Sequence, residues 1–339
     1  MTATITKFLL GAVALLFGIS QDAAAQEKLV FMNWGGTWAD YAKKAFIDQF
    51  EKDTGIKVEV RAHQDPLDGL AKLQATRNNL DVDVWATSPV PAIVAQKDGL
   101  LVAFDASQVP NAAKISKNLI TPACIAWYKF FFGIVYNENK VPFKPTKWED
   151  LFDSRLRGQV AVPSASNDEG KFLILLSWLG GGDEDNDGPG FANAKRLVHN
   201  AVTFYKSYTE RDKSLAAGEA TVGAFSPYRE YLDLAENNPQ FKFAVPEPWV
   251  IADFDCISVV KGKNQPLAYK FANYMLSKSA QESFANDAVV VPAVSDVATP
   301  APLASFAPPD SKYRYPNSAI VETKLQGWVD RWNQEIQSR

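Results

Sequence analysis

Apolar positions alternate along the chain between short runs and longer stretches with helical spacing. Residues 29–34 form a short apolar run before a Gly-Gly turn, which predicts a buried strand. Residues 38–54 then place apolar side chains at helical spacing, and Gly55 follows where helices commonly end. The alternation of strands and helices continues through residues 56–98, and this repetition predicts an α/β fold with a layered sheet.

Two stretches are longer than the other strands of this pattern. Residues 124–137 are nearly uncharged and rich in aromatic side chains, and residues 251–260 are again strand-like. A long uncharged strand predicts a passage of the chain from one domain to another. The proline-rich stretch at 291–309 is interpreted either as a further crossing or as a surface loop.

The first 25 residues have the pattern of an export signal. Lys7 precedes a 12-residue apolar stretch at 8–19, and three alanines follow at 23–25. A membrane span takes about 20 apolar residues, so we expect cleavage after Ala25 rather than a short anchor. No cysteine lies near this point, so we expect a free periplasmic protein and not a lipoprotein.

The length is suited to two domains. Cleavage of 25 of the 339 residues leaves 314, and domains commonly have about 150 residues. We expect lobe one to comprise residues 27–130 and 254–297. We expect lobe two to comprise residues 131–253 and 298–339, which end in an amphipathic helix.

The composition is that of an ordinary globular protein. Hydrophobic residues make up 47% of the chain and charged residues 22%, with a net charge of −4. This excludes a disordered tail, a collagen and a small disulfide scaffold. Because a phosphate backbone requires a clustered basic face, we expect no nucleic-acid partner.

Residues with catalytic or metal-binding potential are few. His63 and His199 are the only histidines, and neither a nucleophile elbow nor a phosphate-binding loop is present. Residues 183–188 imitate the start of a calcium loop, but its twelfth position is Ala194 instead of a glutamate. We therefore expect no catalytic residue, no metal and no cofactor.

Cys124 and Cys256 are the only cysteines, and both lie at or within the two strands interpreted as crossings. Such strands would run antiparallel side by side, so the thiols are able to meet. A disulfide and two buried free thiols are both open. A bridge that closes about 133 residues would stabilise the fold by up to about 4–5 kcal/mol.

Two loops are placed where open α/β sheets bind ligands, beyond the carboxyl ends of strands. Trp34, Gly36 and Thr37 lie between the first strand and the first helix, where glycines admit a ligand and helix N–H groups are available. Residues 164–169 have the same position before a helix predicted over 168–179. Ordinary turn chemistry is the alternative for both.

Several short motifs follow one another along the chain. They are Asn33-Trp34, residues 46–58, 81–84 and 99–101, the strand end at 135–137, and residues 148–151 and 158–163. Their order resembles that of extracellular solute-binding proteins, and most of all the spermidine/putrescine-type binding proteins of ABC importers. The resemblance spans essentially the whole mature chain.

The resemblance implies a two-lobe periplasmic-binding-protein fold of type II, with a small solute held between the lobes. It implies hinge closure around the solute and delivery to an inner-membrane ABC permease with its ATPase, without catalysis and without a cofactor. We expect a monomer. A secreted enzyme on a similar fold and a structural or adhesive protein are the alternatives.

The resemblance also implies roles for single residues. Trp34 matches a ligand-stacking tryptophan, Asp255 an acid that holds an amine, and Ser88 a polar contact. Asp168 or Glu169 matches a carboxylate of lobe two. The candidate ligand-binding residues are Trp34, Gly36, Thr37, Ser88, Trp127, Tyr128, Asp168, Tyr228, Arg229, Asp253 and Asp255.

The residue types in this set favour an amine. Aromatic faces and carboxylates suit an ammonium group, while helix starts and Arg229 suit a carboxylate. We therefore expect a polyamine or a zwitterion such as an ω-amino acid. Gly36 stands where polyamine binders usually have an acid, which weighs against two amines. Sugars, inorganic anions and iron are alternatives, and the lack of a tyrosine pair weighs against iron.

Overall fold

The computed structural model describes residues 28–338. The predicted export signal and its cleavage site lie outside these residues. Within the described range, no helix combines the length and the apolar character needed to cross a membrane.

The strands of residues 28–338 are connected through shared hydrogen bonds in the order β2-β1-β3-β9-β4-β7-β5-β6, with β8 and β10 on β4 and β11 on β9. Their bounds are β1 (Lys28–Trp34), β2 (Lys57–His63), β3 (Val84–Thr87), β4 (Ile125–Asn137), β5 (Val160–Pro163), β6 (Ala201–Tyr205), β7 (Val222–Pro227), β8 (Phe241–Ala244), β9 (Val250–Val259), β10 (Val291–Pro292) and β11 (Tyr313–Arg314).

Helices cover the strands and connect them. They are α1 (Thr37–Ala42), α2 (Asp48–Thr54), α3 (Pro66–Ala75), α4 (Pro89–Lys97), α5 (Lys171–Leu179), α6 (Gly188–Leu197), α7 (Tyr208–Ala216), α8 (Tyr228–Asn237), α9 (Gln265–Met275), α10 (Lys278–Ala288), α11 (Ala301–Ala304) and α12 (Ser318–Trp332). A π-helical segment, Lys43–Ile47, joins α1 to α2, and Gly55 ends this helix in the left-handed conformation with φ 71°. The prediction of the first helix and its glycine end is confirmed.

The long strands β4 and β9 are antiparallel neighbours, and the packing of apolar side chains divides along them. One hydrophobic cluster draws on residues 29–128 and 254–294. A second draws on residues 132–251 and 321–336, together with Val90 of α4. A third covers the opposite face of β4, since adjacent strand residues point to opposite sides. The mixed α/β fold with two lobes is confirmed, and the residue boundaries of the lobes stay a prediction.

The two cysteines form a disulfide at the lobe-one end of these strands. Cys124 and Cys256 have their Cα atoms 5.6 Å apart and are bonded to each other. The sequence left open a disulfide and two buried free thiols, and the structure has the disulfide. The proline-rich stretch at 291–309 does not form a full crossing strand, because β10 contributes only two residues to β4 before the short α11.

Candidate functional site

A cavity of about 560 Å³ lies between the two hydrophobic clusters. Its walls are the segments that follow the carboxyl ends of β1 and β3 on one side and of β5, β6 and β7 on the other. The middle of β4 and β9 forms its floor. This is the position at which open α/β sheets bind ligands.

Seven of the predicted site residues line this cavity. They are Trp34, Ser88, Tyr128, Asp168, Arg229, Asp253 and Asp255. Gly36 and Thr37 begin α1 beside Trp34 but are not among the lining residues. Whether any of these residues contacts a ligand stays a prediction.

The structure places Trp127 in the core of lobe one instead of the cavity. Its side chain is buried, and its ring packs on Phe284 at 4.4 Å and on Phe46 at 5.9 Å between centroids. The ladder between β4 and β9 shifts between Ala126 and Tyr128, so the side on which each neighbouring residue lies cannot be read from simple alternation. This corrects the expectation for Trp127.

Tyr228 likewise belongs to a core. As the first residue of α8, it packs its ring on Phe306 at 4.9 Å and on Phe243 at 5.2 Å. Its hydroxyl donates to the carbonyl oxygen of Pro302 at 3.3 Å. These contacts hold the start of α8 and leave the next residues of that helix to line the cavity.

The wall formed by lobe one is aromatic. Trp34 packs its ring edge-on against His63 at 4.8 Å, and Trp38 stacks on Tyr128 at 5.5 Å with 17° between the ring planes. Trp38 lines the cavity and was not predicted. Its position in the first turn of α1, directly after the Gly-Gly loop, is the signal in the sequence that points to it.

The floor brings acids and aromatic rings onto one face. Tyr128 pairs with Asp255 and Phe130 with Asp253 across β4 and β9, and directly opposed residues share a face. The Tyr128 hydroxyl donates to Oδ2 of Asp255. Burial raises the pKa of Asp255 well above its ordinary value, with nearby Asp253 adding to the effect and the bond from Tyr128 opposing it.

The loop before α5 has an unusual backbone. The helix predicted over 168–179 begins only at Lys171, because Asp168 (φ 45°), Glu169 (φ 54°) and Gly170 (φ 77°) are all left-handed. A non-glycine residue held in a sparsely populated conformation costs about 1–3 kcal/mol and persists only where its surroundings enforce it. Such strain is typical of ligand-binding segments.

Lys171, the first residue of α5, lies against this loop and was not predicted. Its ammonium Nζ is 2.8 Å from Oδ2 of Asp253 and 3.0 Å from Oε2 of Glu169, and it donates to the carbonyl oxygen of Asp168 at 3.1 Å. Burial alone lowers the pKa of Lys171, but the surrounding carboxylates raise it by more, so the net shift is upward. A single lysine at the head of an otherwise apolar helix is the available signal.

The other acid of the loop has a tyrosine partner. The Tyr208 hydroxyl donates to Oδ2 of Asp168. Burial raises the pKa of Asp168 to about 6, against the opposing effect of Lys171. Tyr208 begins α7, and the guanidinium of Arg211 lies 4.7 Å from the centre of its ring. The tyrosine was not predicted, because nothing in the sequence brings α7 next to the loop.

One hydrogen bond connects the two walls. The Ser88 hydroxyl, which precedes α4 in lobe one, donates to Oε1 of Glu169 in lobe two. The sequence predicts a polar contact of Ser88 with the ligand, and that stays a prediction. In the described structure the hydroxyl of Ser88 bonds to a residue of the opposite lobe.

The start of α8 supplies one base and one acid. Arg229 pairs with Asp233 of its own helix at 2.6 Å. Glu230 has no hydrogen bond or ion pair with any residue of the range 28–338, and burial raises its pKa to about 7. Glu230 is therefore an acid that lines the cavity without a partner of its own.

Chemically, this arrangement is suited to binding a cation. Carboxylates and aromatic faces surround the same space, and Lys171 is enclosed by acids. Across residues 28–338, no group of three or more histidine, cysteine or acidic side chains is arranged to hold a metal ion.

Comparison with known proteins identifies the family. The profile of bacterial extracellular solute-binding proteins matches residues 45–308. The putrescine-binding periplasmic protein PotF of Escherichia coli K12 is 27% identical over 312 residues, which cover 81% of each chain. The iron uptake protein A1 of Synechocystis sp. PCC 6803 is 25% identical over 276 residues, covering 76% of this chain and 74% of the relative.

A solved structure shows the same fold. The crystal structure of an ABC transporter protein from Clostridium perfringens ATCC 13124 superposes with a TM-score of 0.81 at 22% identity, covering 91% of this chain and 99% of that chain. Proteins of this family are not enzymes; they bind small solutes and deliver them to ABC permeases. The chain belongs to the bacterial extracellular solute-binding protein family and is a substrate-binding component of an ABC transporter.

Proposed function

We propose that this protein captures a small amine-bearing solute, a polyamine or an ω-amino acid, in the cavity between its lobes. Closure of the lobes around the solute creates the form that the permease recognises. The observation that carries the proposal is the shared face of Tyr128, Phe130, Asp253 and Asp255 on β4 and β9.

The balance of charge in the cavity supports a cationic group. Lys171 is already shared between Glu169 and Asp253. Of the other acids that line the cavity, Asp168 and Asp255 accept from tyrosine hydroxyls, Asp65 accepts from the backbone N–H of Asp68, and Glu230 has no partner within residues 28–338. Burial raises the pKa of Asp255 and of Glu230, because nearby positive charge offsets only part of the cost of burying each carboxylate. A bound ammonium group would supply that charge through charge-assisted hydrogen bonds.

The aromatic wall supports the same group. Trp34, Trp38 and Tyr128 line the cavity, and a cation over such a ring gains about 0.5–2 kcal/mol. An ω-amino acid is kept beside the polyamine because Arg229 and Lys206 also line the cavity and suit a carboxylate. The relatives include a putrescine-binding protein and an iron uptake protein, so membership of the family does not by itself identify the solute.

The cellular setting belongs to the same proposal. Six relatives, PotF among them, are named periplasmic, which supports export. Cleavage after Ala25, a free periplasmic protein and a monomer are the states in which we expect this chain to work.

A thermal-shift screen across amines, amino acids, sugars and inorganic anions tests the solute class. A ligand at 100 times its dissociation constant adds about 2.7 kcal/mol to the free energy of unfolding. Amines should raise the melting temperature. A shift with a neutral sugar or an inorganic anion, and none with any amine, would overturn the proposal.

A substitution then tests the site. Asp255→Asn should weaken amine binding by more than about tenfold, because hydrogen bonds to charged groups contribute about 1.5–3 kcal/mol. Asp330→Asn, on the exposed side of α12, is the matched control and should leave the affinity unchanged. Unchanged affinity in Asp255→Asn removes this residue from the site.

A further inference from the structure

The ammonium group of Lys171 is fully satisfied by the protein itself. Its three N–H donors have three acceptors within hydrogen-bond distance: Oδ2 of Asp253, Oε2 of Glu169 and the carbonyl oxygen of Asp168. The side chain is only 7% exposed. It therefore needs no ligand anion to balance its charge.

The chemistry of this side chain is that of an alkyl amine. A lysine ends in an ammonium on a four-carbon stem, as a diamine does. Glu169 and Asp253 are two of the acids that a second ligand ammonium would need, and Lys171 already takes one oxygen of each.

We propose that Lys171 occupies, from within the chain, the place of one ammonium group of a diamine, so that the cavity binds a solute with a single ammonium group. This inference rests on the proposed function and makes the solute class narrower. A second ligand ammonium beside Lys171 would meet a like charge and find these acids already shared. The single ligand ammonium is left with Asp255 and Glu230.

The other residues around the cavity are consistent with a ligand that has a single ammonium group. Asp255 accepts from Tyr128 next to the stacked ring of Trp38, which is a complete site for one cation. Gly36, at the start of α1, brings no acid to this wall. Asp168 accepts from Tyr208 and has Lys171 beside it, whose charge opposes the effect of burial on its pKa, so a ligand ammonium at Asp168 would lie next to a like charge.

Three four-carbon probes test the proposal: butylamine, 4-aminobutyrate and 1,4-diaminobutane. They share one ammonium group and differ only at the other end. Calorimetry on the full mature chain gives the dissociation constant of each. The measured quantity is the ratio between the constant of the diamine and that of the tighter of the two single-ammonium probes.

In the wild type the diamine should be the weaker ligand. In Lys171→Met the ratio should fall by about tenfold or more, because a second ammonium can then take the acceptors that Lys171 leaves. Lys213→Met is the matched control: it removes a cation from α7 of the same lobe, where Lys213 is exposed, does not line the cavity and forms no ion pair within the described residues. Its ratio should stay within about twofold of the wild type.

The outcomes separate this inference from the proposed function. If none of the probes binds the wild type, the proposed function fails for this solute class and the inference fails with it. If single-ammonium probes bind and the ratio does not change in Lys171→Met, or changes as much in Lys213→Met, only the inference is overturned.

A melting experiment covers the case in which Lys171→Met does not fold alone. The variant is heated with saturating 1,4-diaminobutane or with saturating butylamine. Restoration of a cooperative transition by the diamine and not by butylamine supports the inference. Equal restoration by both, or restoration by neither, overturns it.

Discussion

The two walls of the cavity are built in different ways. The lobe-one wall contains aromatic residues at the ends of regular elements, Trp34 at the end of β1 and Trp38 in the first turn of α1, with residues 64–67 and Ser88 beside them. The lobe-two wall consists of charged residues on the loop at 168–171, whose backbone is left-handed at three successive positions. The aromatic residues of lobe one are positioned by a regular strand and helix. The segment at 168–171 of lobe two is held in its left-handed conformation by ion pairs and hydrogen bonds.

This difference explains what keeps each wall in place. Apolar rings on lobe one pack on neighbouring rings, and their burial is favourable without any partner charge. The acids of lobe two are buried at a cost that Lys171 offsets, and Gly170 lies against Trp328 of α12. The lobe-one wall is therefore stabilised by packing alone. The conformation of the lobe-two wall depends on its ion pairs, which offset the cost of buried charge and of backbone strain.

The largest effect is expected at the lobe-one end of the crossing strands. Replacing both cysteines, Cys124→Ser with Cys256→Ser, should lower the free energy of unfolding by up to about 4–5 kcal/mol, because the bridge restricts the unfolded chain. Urea unfolding followed by tryptophan fluorescence measures the loss. A reductant should destabilise the wild type in the same way and leave the variant unchanged. A loss below about 1 kcal/mol would contradict the prediction.

The charge cluster of lobe two should be nearly as sensitive. Lys171→Met leaves Asp253 and Glu169 buried without their cation, and breaking a buried ion pair in this way costs about 3–5 kcal/mol. Lys206→Met is the matched exposed change and should cost less than about 1 kcal/mol. Equal losses in urea unfolding would show that the buried cluster does not hold the loop.

The strain of the loop has a smaller effect. Gly170→Ala should cost about 1–2 kcal/mol, because an L-residue at φ 77° is strained and the added Cβ comes within 3.1 Å of the Trp328 ring. Gly327→Ala, on α12 with no atom near its Cβ, should instead stabilise by about 0.5–1 kcal/mol. The prediction is wrong if the two substitutions change stability in the same direction.

The smallest expected effect is a dependence on pH. Burial raises the pKa of Glu230 from 4.5 to about 7, so the folded state binds more protons than the unfolded state between these values. The free energy of unfolding should therefore fall as the pH rises from about 4.5 to about 7. Because solvent screens this partly exposed side chain, we expect its share to be about 1 kcal/mol.

The control for this pH dependence lies on the same helix. Glu230→Gln should flatten the fall in stability over that range, while Glu236→Gln, exposed on α8, should leave it as in the wild type. Unfolding midpoints measured at several pH values give both slopes. Identical slopes in the wild type and Glu230→Gln would exclude the contribution of Glu230.

The contrast between the walls also decides what the sequence can predict. Trp34 and Asp255 follow from motif order and strand position, because regular elements place them. Trp127 lies in a core instead of the cavity, since a one-residue shift in β4 changes which side chains share a face. Tyr228 lies in a core for another reason: at the start of α8 its ring packs on Phe243 and Phe306, which are distant in the sequence.

The lobe-two wall is harder to predict for a physical reason. A helix was expected to begin at Asp168, but no propensity favours left-handed backbone at two acids in a row. That local conformation brings Lys171 onto Asp253, which lies 82 positions away along the chain. The contact depends on how α5 packs against β9 in the folded protein, and the local sequence pattern carries no information about that packing.

The covalent link between the start of β4 and β9 bears on the proposed closure of the lobes. Cys256 directly follows Asp255, so the bridge ties the two strands together beside the pair of Asp255 and Tyr128. We therefore expect an arriving solute to meet the surface of Trp38, Tyr128 and Asp255 already assembled, and the segment at 168–171 to reach it on closure. Under this proposal lobe one governs how fast a solute is captured, and lobe two how long it stays.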